Sequence, residues 1–98
     1  MKPDKDVVWL ISPDALATYT DDGAVVLDIP KGICYSLDAV ASRMWLAMES
    51  SPSGITLEGI VGVLEQSFEI RRERIASDAS EFLDNLHRMS LVRCQYVS

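Results

Sequence analysis

The first third of the chain alternates between apolar and polar positions, as β-strands with one buried face do. Residues 7–11 are apolar and rich in β-branched side chains, and Pro13 ends this segment, which we expect to be a strand or an extended arm. Alternating segments follow at 16–20 and 24–28. Between them lies Asp21-Asp22-Gly23, a sequence typical of a tight turn because Asp-Gly tolerates positive φ angles.

A second turn sequence, Pro30-Lys31-Gly32, leads into a third alternating segment, Ile33 to Leu37. Proline fixes the first corner of such a turn, and glycine permits the second. Short strands joined by tight turns predict an antiparallel meander, in which each strand pairs with the one before it.

The rest of the chain has apolar residues at helical spacing and predicts three helices. Ser36 or Asp38 can cap the first helix, which the loop at 50–54 ends. The second helix follows Thr56, and the third spans about 72–89. The expected apolar faces are Leu37, Ala41, Met44, Trp45 and Met48; Leu57, Ile60, Val61, Leu64 and Phe68; and Ile75, Ala79, Phe82, Leu83, Leu86 and Met89.

Strands followed by helices predict an α+β fold: a three-stranded antiparallel β-meander, then three α-helices covering one face of the sheet. A winged helix-turn-helix domain contains the same set of strands and helices, in a permuted order along the chain. We expect residues 1–98 to form one domain, with residues 1–6 loose. The apolar segment 91–97 is expected to close the core as a short strand or an extended tail.

The charge argues against a nucleic-acid partner. The net charge is −6 and the isoelectric point is about 4.5. Binding to the phosphate backbone of a nucleic acid requires clustered Lys and Arg side chains instead. The densest basic cluster, at 71–74, contains an acid and lies at a helix start, where the dipole disfavours cations. Asp78, Glu81 and Asp84 on the third helix would repel a phosphate backbone.

The N-terminal apolar run is too short for a membrane span or a signal peptide, so we expect a cytoplasmic protein with no membrane partner. Two cysteines, Cys34 and Cys94, are too few for a disulfide scaffold. They fit small apolar thiols in a reducing compartment, and a bond between them stays open as an alternative.

Nothing in the sequence predicts catalysis. The single histidine, His87, lies within the third helix, and neither cysteine has an oxyanion-hole loop or a glycine-rich element nearby. The spacings of zinc and calcium sites and the phosphate-binding loop are absent from the sequence. We therefore expect no enzymatic activity, no catalytic residues, no metal and no cofactor.

The third strand is the candidate for function, because no further strand follows it before the helices. A simple meander leaves this strand at the edge of the sheet. Its residues Cys34, Tyr35 and Ser36 carry no charge that would prevent a further strand from pairing there. A partner peptide could add a strand there through backbone hydrogen bonds. The segment 91–97 or a second copy of the chain could cover the edge instead.

Several pieces of the chain resemble one known family in their order and spacing. They are the run DDGAVVLDIPKGICYSLDAVASRMWLAM, a helix led by Thr56-Leu57, and the run IASDASEFLDNLHRMSLV. The most telling elements are Leu37-Asp38, Arg43-Met44-Trp45, and Asp78 followed by Phe82-Leu83 and Leu86. From about Trp9 to Val92 the chain resembles the PqqD-like domains, the leader-recognition elements (RiPP recognition elements) of ribosomal peptide biosynthesis. The family usually has Leu-Asn where this chain has Leu37-Asp38, a change that leaves the helix-cap chemistry intact.

The resemblance, which is strongest to the stand-alone kind found with lasso peptides, implies a non-catalytic protein that binds the leader segment of a precursor peptide. In the family, the leader lies as an added antiparallel strand against the third strand, in the groove between it and the third helix. Carried onto this chain, the binding residues are Ile33, Cys34, Tyr35, Ser36 and Leu37 on the strand, and Ala76, Asp78, Ala79, Ser80, Leu83, Leu86 and His87 on the helix. Phe82 and Leu86 also fit the core, and Asp78 either fixes a polar group of the leader or caps and solvates its helix.

The same resemblance implies the partners. Lasso leaders in the family tend to present a Tyr-x-x-Pro motif, whose ring needs an apolar pocket. The captured leader is delivered to a processing enzyme: a transglutaminase-like cysteine protease in lasso pathways, or a radical-SAM enzyme where the family member acts as a peptide chaperone in quinone-cofactor synthesis. A winged-helix regulator and a domain that pairs with itself through its edge strand are the alternatives from other classes.

Overall fold

The structure, a computed structural model, describes residues 7–96. The expectations that residues 1–6 are loose and that the tail extends to Val97 lie outside the described residues. In chain order the elements are β1 (Val7–Ile11), β2 (Ala15–Tyr19), β3 (Ala24–Asp28), β4 (Ile33–Leu37), α1 (Ala39–Glu49), α2 (Leu57–Ser67), α3 (Arg72–Arg88) and β5 (Val92–Tyr96).

The strands form two antiparallel sheets, one of order β2-β3-β4 and one of β1 with β5. The predicted α+β fold, with its meander followed by three helices, is confirmed, although β2 begins one residue earlier than expected. Residues 7–11, expected as a strand or an arm, form a strand that pairs with the C-terminal strand from Val7↔Tyr96 to Ile11↔Val92. Because β5 lies against β1, it does not cover the edge of β4.

Successive side chains of each meander strand point to opposite faces of the sheet, and one of these faces packs against the core. Val26 is fully buried, and its partners on the two neighbouring strands are Ala17 and Tyr35. On the opposite face, Leu16 is paired with Leu27 and lies open to solvent, with 59% of its surface exposed. The sheet is therefore covered on one face only, as the sequence predicts.

The helices supply most of the core that covers this face. Trp45 of α1, Ile60 and Leu64 of α2, and Leu83 of α3 each have 1% or less of their surface exposed. Full burial of a large apolar side chain stabilises a fold by about 1.5–3 kcal/mol. Among residues 7–96, no helix is both long and apolar enough to cross a bilayer.

Asp38 separates β4 from α1. Its Oδ1 accepts a hydrogen bond from the backbone N–H of Ala41 at 2.8 Å, so Asp38, and not Ser36, is the N-cap. Leu37, expected on the apolar face of the first helix, is instead the last residue of β4. That part of the prediction was wrong, because the helix begins only after its cap.

Gly23, in the turn between β2 and β3, packs directly against the end of β4. A Cβ atom at this position would overlap the carbonyl oxygen of Leu37 and would lie 3.1 Å from the carbonyl carbon of Asp38. Both neighbours are backbone atoms, which cannot rotate away as a side chain can. Only glycine therefore allows this approach of the turn to the β4–α1 junction.

We predict that Gly23→Ala lowers the free energy of unfolding by about 1–3 kcal/mol, because the added methyl group forces the backbone at Leu37 to move. Chemical denaturation followed by circular dichroism measures this. Gly62→Ala is the matched control: a Cβ atom there meets nothing within 4 Å. Since alanine favours helix, this control is expected to be neutral or stabilising by up to about 1 kcal/mol. Equal effects of the two substitutions would contradict the close approach at Gly23.

The Tyr19 hydroxyl ties β2 to the end of α1 by donating a hydrogen bond to the carboxylate of Glu49. Burial, and then this bond to Glu49, raises the pKa of Tyr19 well above its ordinary value. The folded state thus keeps a proton that the unfolded state loses near pH 10.

We predict that the contribution of Tyr19 to stability is complete below about pH 10 and declines as the pH rises further. The difference in unfolding free energy between the wild type and Tyr19→Phe should therefore stay constant up to about pH 10, the unfolded pKa, and shrink above it. Urea titrations at each pH measure it. A difference independent of pH would show that the hydroxyl proton is not held in the folded state.

Candidate functional site

β4 lies at the edge of its sheet and pairs with β3 on one side. Within the described chain, no strand pairs with its other side. Its sequence, Ile-Cys-Tyr-Ser-Leu, contains neither charge nor proline, the usual devices that prevent pairing at a sheet edge. The strand therefore presents backbone N–H and C=O groups with which another strand could pair.

The side chains of β4 divide between the two faces of the sheet. Ile33, Tyr35 and Leu37 share the inner face with Val26, and 45% of the surface of Ile33 is exposed. Cys34 and Ser36 are exposed on the outer face. All five predicted strand residues thus belong to the open edge, but only three of them send their side chains toward the helices.

Two contacts connect the ends of β4 to the two ends of α3. At one end, the Lys31 ammonium, just before β4, donates a hydrogen bond to the carbonyl of Met89 at 3.5 Å. At the other end, Asp38, just after β4, lines the same cleft as Asp78 of α3. The helix between Asp78 and Met89 spans roughly 16 Å, about the length of a five-residue strand. From these two contacts we expect α3 to run antiparallel beside β4, with a groove between them.

A cleft of about 720 Å³, here named the α1–α3 cleft, lies at the start of α1, next to the end of β4. Its lining comes from the start of α1, the α2–α3 loop and one face of α3: Asp38, Val40, Ala41, Met44, Glu69, Ile70, Arg71, Arg74, Asp78, Glu81, Phe82 and Asn85. Apolar side chains such as Val40, Met44 and Phe82 lie among charged ones. The cleft can hold a side chain that combines an apolar body with a polar end.

The charges of the cleft are partly paired already. The Arg74 Nε lies 3.6 Å from the Asp78 carboxylate, one helical turn away. Arg71 lies 4.0 Å from Glu73, outside the cleft. Both pairs are exposed, so each contributes at most about 1 kcal/mol.

Three of the predicted helix residues form the core and not the groove surface. Ala79, Leu83 and Leu86 have 0%, 1% and 2% of their surface exposed, respectively. Ala76 is half-buried and packs against the same core. In this conformation these side chains support the groove from beneath, and direct contact between them and a peptide stays a prediction.

The other predicted helix residues lie on opposite sides of α3, with Asp78 on one side and Ser80 and His87 on the other. Asp78 lines the α1–α3 cleft, as expected. Ser80 lies on the solvent face, in a shallow depression with Asp84. His87 meets the ring of Trp9 edge-on, with ring centroids 6.0 Å apart, on the side of the helix that faces β1. The structure therefore does not bring Ser80 and His87 together with Asp78.

Sequence reasoning missed the face of α3 that lines the cleft: Glu81, Phe82 and Asn85, which follow Asp78 at helical spacing. The sequence predicts Phe82 on the apolar face of the third helix, where it also fits the core. It lies at the margin of that face, and a half-buried aromatic ring beside charged neighbours is the signal that could have placed it in the groove.

The candidate metal ligands and the two cysteines lie apart in the part of the chain that the structure describes. Residues 7–96 contain no group of three or more His, Cys, Asp or Glu side chains placed to hold a metal ion. Cys34 and Cys94 are both free and exposed, and they lie in different sheets.

Two solved structures resemble this chain over most of its length. The structure of TbiB1 in complex with the TbiA(beta) leader peptide is 28% identical in sequence, with a TM-score of 0.77 over 91% of this chain and 99% of that chain. Lasso peptide synthetase B1 complexed with the leader peptide is 18% identical, with a TM-score of 0.72 over 87% of this chain and 96% of that chain, a likeness of fold alone. No curated protein sequence matches the chain.

A family model described as coenzyme PQQ synthesis protein D (PqqD) matches residues 23–92. The matched range contains β3, β4 and all three helices, and so includes both walls of the groove and the whole α1–α3 cleft. This match confirms the resemblance found in the sequence, and the chain belongs to the PqqD family.

Proposed function

We propose that this protein binds the leader segment of a ribosomally made precursor peptide, which adds an antiparallel strand to β4 in the groove beside α3. The observation that carries the proposal is the uncharged edge of β4, which is unpaired within the described chain. The 28% identical structure, which holds a leader peptide, supports it.

Strand addition suits this edge energetically. Each backbone hydrogen bond gained contributes about 0.5–1.5 kcal/mol net, and several can form along a five-residue strand. Backbone pairing supplies affinity, while pockets for alternate side chains supply selectivity. Peptide side chains that point inward would contact Tyr35 and Leu37 on the sheet and Phe82 on α3.

The direction of the bound peptide follows from the antiparallel pairing. Its N-terminal end lies beside Leu37 and the α1–α3 cleft, and its C-terminal end lies beside Ile33. The part of the precursor that follows the leader therefore leaves the groove at the β3–β4 turn, where a second protein has access to it.

The finer role we propose is non-catalytic: the protein presents the bound leader to a processing enzyme. In a lasso peptide pathway this partner is a transglutaminase-like cysteine protease that removes the leader. A radical-SAM enzyme is the alternative partner that family membership suggests. The free thiols of Cys34 and Cys94 suit a reducing compartment such as the cytoplasm.

We predict that the protein binds the leader of the precursor encoded beside it, and that Ile33→Lys weakens this binding roughly tenfold or more, since a lysine on an edge strand opposes pairing. Isothermal titration measures both affinities. Ile33 is exposed, so the variant should fold, and circular dichroism checks its helicity. The matched control is Thr18→Lys on β2, the other exposed edge of the same sheet.

Wild-type affinity in Ile33→Lys together with weakened binding in Thr18→Lys would place the peptide at β2 and contradict the proposed site. A folded wild-type protein that does not bind its leader even at high micromolar concentration would contradict the function itself.

We also predict that leader binding slows amide hydrogen exchange at alternate residues of β4, namely those whose N–H groups point toward the free edge. The amides of β2 serve as the internal reference and should keep their exchange rates. Protection confined to the helices would show that the peptide binds without adding a strand.

A further inference from the structure

We infer that the α1–α3 cleft binds a basic side chain of the leader, a lysine or arginine on the N-terminal side of the residues that pair with β4. This inference rests on the proposed function and adds the chemistry by which the protein would select its leader. Its starting point is position, because Asp38 follows β4 directly and lines the cleft. A peptide antiparallel to β4 therefore sends its N-terminal flank into the cleft.

The charge of the cleft favours a cation. Four carboxylates and two guanidinium groups line it, which leaves a net charge of about −2. Both arginines already have acidic neighbours, since Arg74 lies 3.6 Å from Asp78 and Arg71 lies 4.0 Å from Glu73. Within residues 7–96, neither Glu69 nor Glu81 forms an ion pair.

The shape and floor of the cleft favour a long cation over a short one. Val40 and Ile70, both half-buried, provide an apolar surface, on which the methylene stem of lysine or arginine can pack while its charged end reaches the rim. The ring of Phe82, one residue after Glu81, can stabilise the same charge through a cation–π contact. An acidic peptide side chain would meet the unpaired carboxylates and be disfavoured.

The test is isothermal titration of the neighbouring precursor's leader peptide into the wild type, Glu81→Lys and Asp84→Lys. Both variants change the net charge equally on the same helix, but Asp84 lies outside the cleft. We expect Glu81→Lys to weaken binding roughly three- to tenfold and Asp84→Lys less than about twofold. The difference should shrink as salt is raised from 50 to 500 mM, roughly from the low-salt to the screened regime.

A second, peptide-side experiment does not depend on how the protein variants fold. The basic residues upstream of the pairing segment are replaced with glutamate in the leader. This peptide should bind the wild type more weakly than the unchanged leader does, and Glu81→Lys should restore part of the loss. Such compensation requires proximity of the two charges and would not arise from a general change in stability.

The outcomes separate this inference from the proposed function. Equal effects of Glu81→Lys and Asp84→Lys, or a leader without any lysine or arginine in that flank, would overturn the basic-residue site and leave leader binding intact. Failure of the wild type to bind its leader at all would overturn both.

Discussion

The site depends on where the last strand of the chain pairs. β5 forms hydrogen bonds with β1, from Ile11↔Val92 to Val7↔Tyr96, and the two together make a sheet of their own. Had the same strand paired with β4, the meander would have gained a fourth strand and lost its open edge. The N-terminal strand, which looks peripheral in the sequence, thus holds β5 away from the edge of β4.

A second constraint acts at the junction between β4 and α1, where strand, helix and cleft meet. Asp38 ends the strand and caps the helix, and the same residue lines the cleft. Gly23 holds this junction from the side of the β2–β3 turn, since a side chain there would collide with the backbone of Leu37. The turn sequence Asp-Asp-Gly therefore does more than reverse the chain, because its glycine also fixes the position of the edge strand relative to α1.

Local signals in the sequence were enough for most of the fold. The two turn sequences placed the meander strands to within one residue, and the helical spacing placed three helices whose caps are short-range features. The partner of β1 could not be derived in this way, because residues 7–11 and 92–96 are distant in sequence and both alternate only weakly. Whether the C-terminal segment would cover β4 or lie elsewhere was for the same reason undecided.

The face of α3 that lines the groove was the harder prediction, for a geometrical reason. Successive helix residues differ by about 100° in direction, so a shift of one position replaces Ala79 and Leu83 with Asp78 and Phe82. The apolar face predicted for α3 is wide, and it extends from Ala79 and Leu83 to Phe82 at its edge. The packing of α1 and α2 against α3 decides which edge of this face is buried. α3 therefore has a buried row of residues, including Ala79 and Leu83, in which a substitution lowers stability. It also has an exposed row, including Glu81, in which a substitution leaves the core intact. Because backbone pairing along β4 does not depend on the peptide's side chains, the exposed row is where selectivity for a particular leader can evolve while the fold is kept.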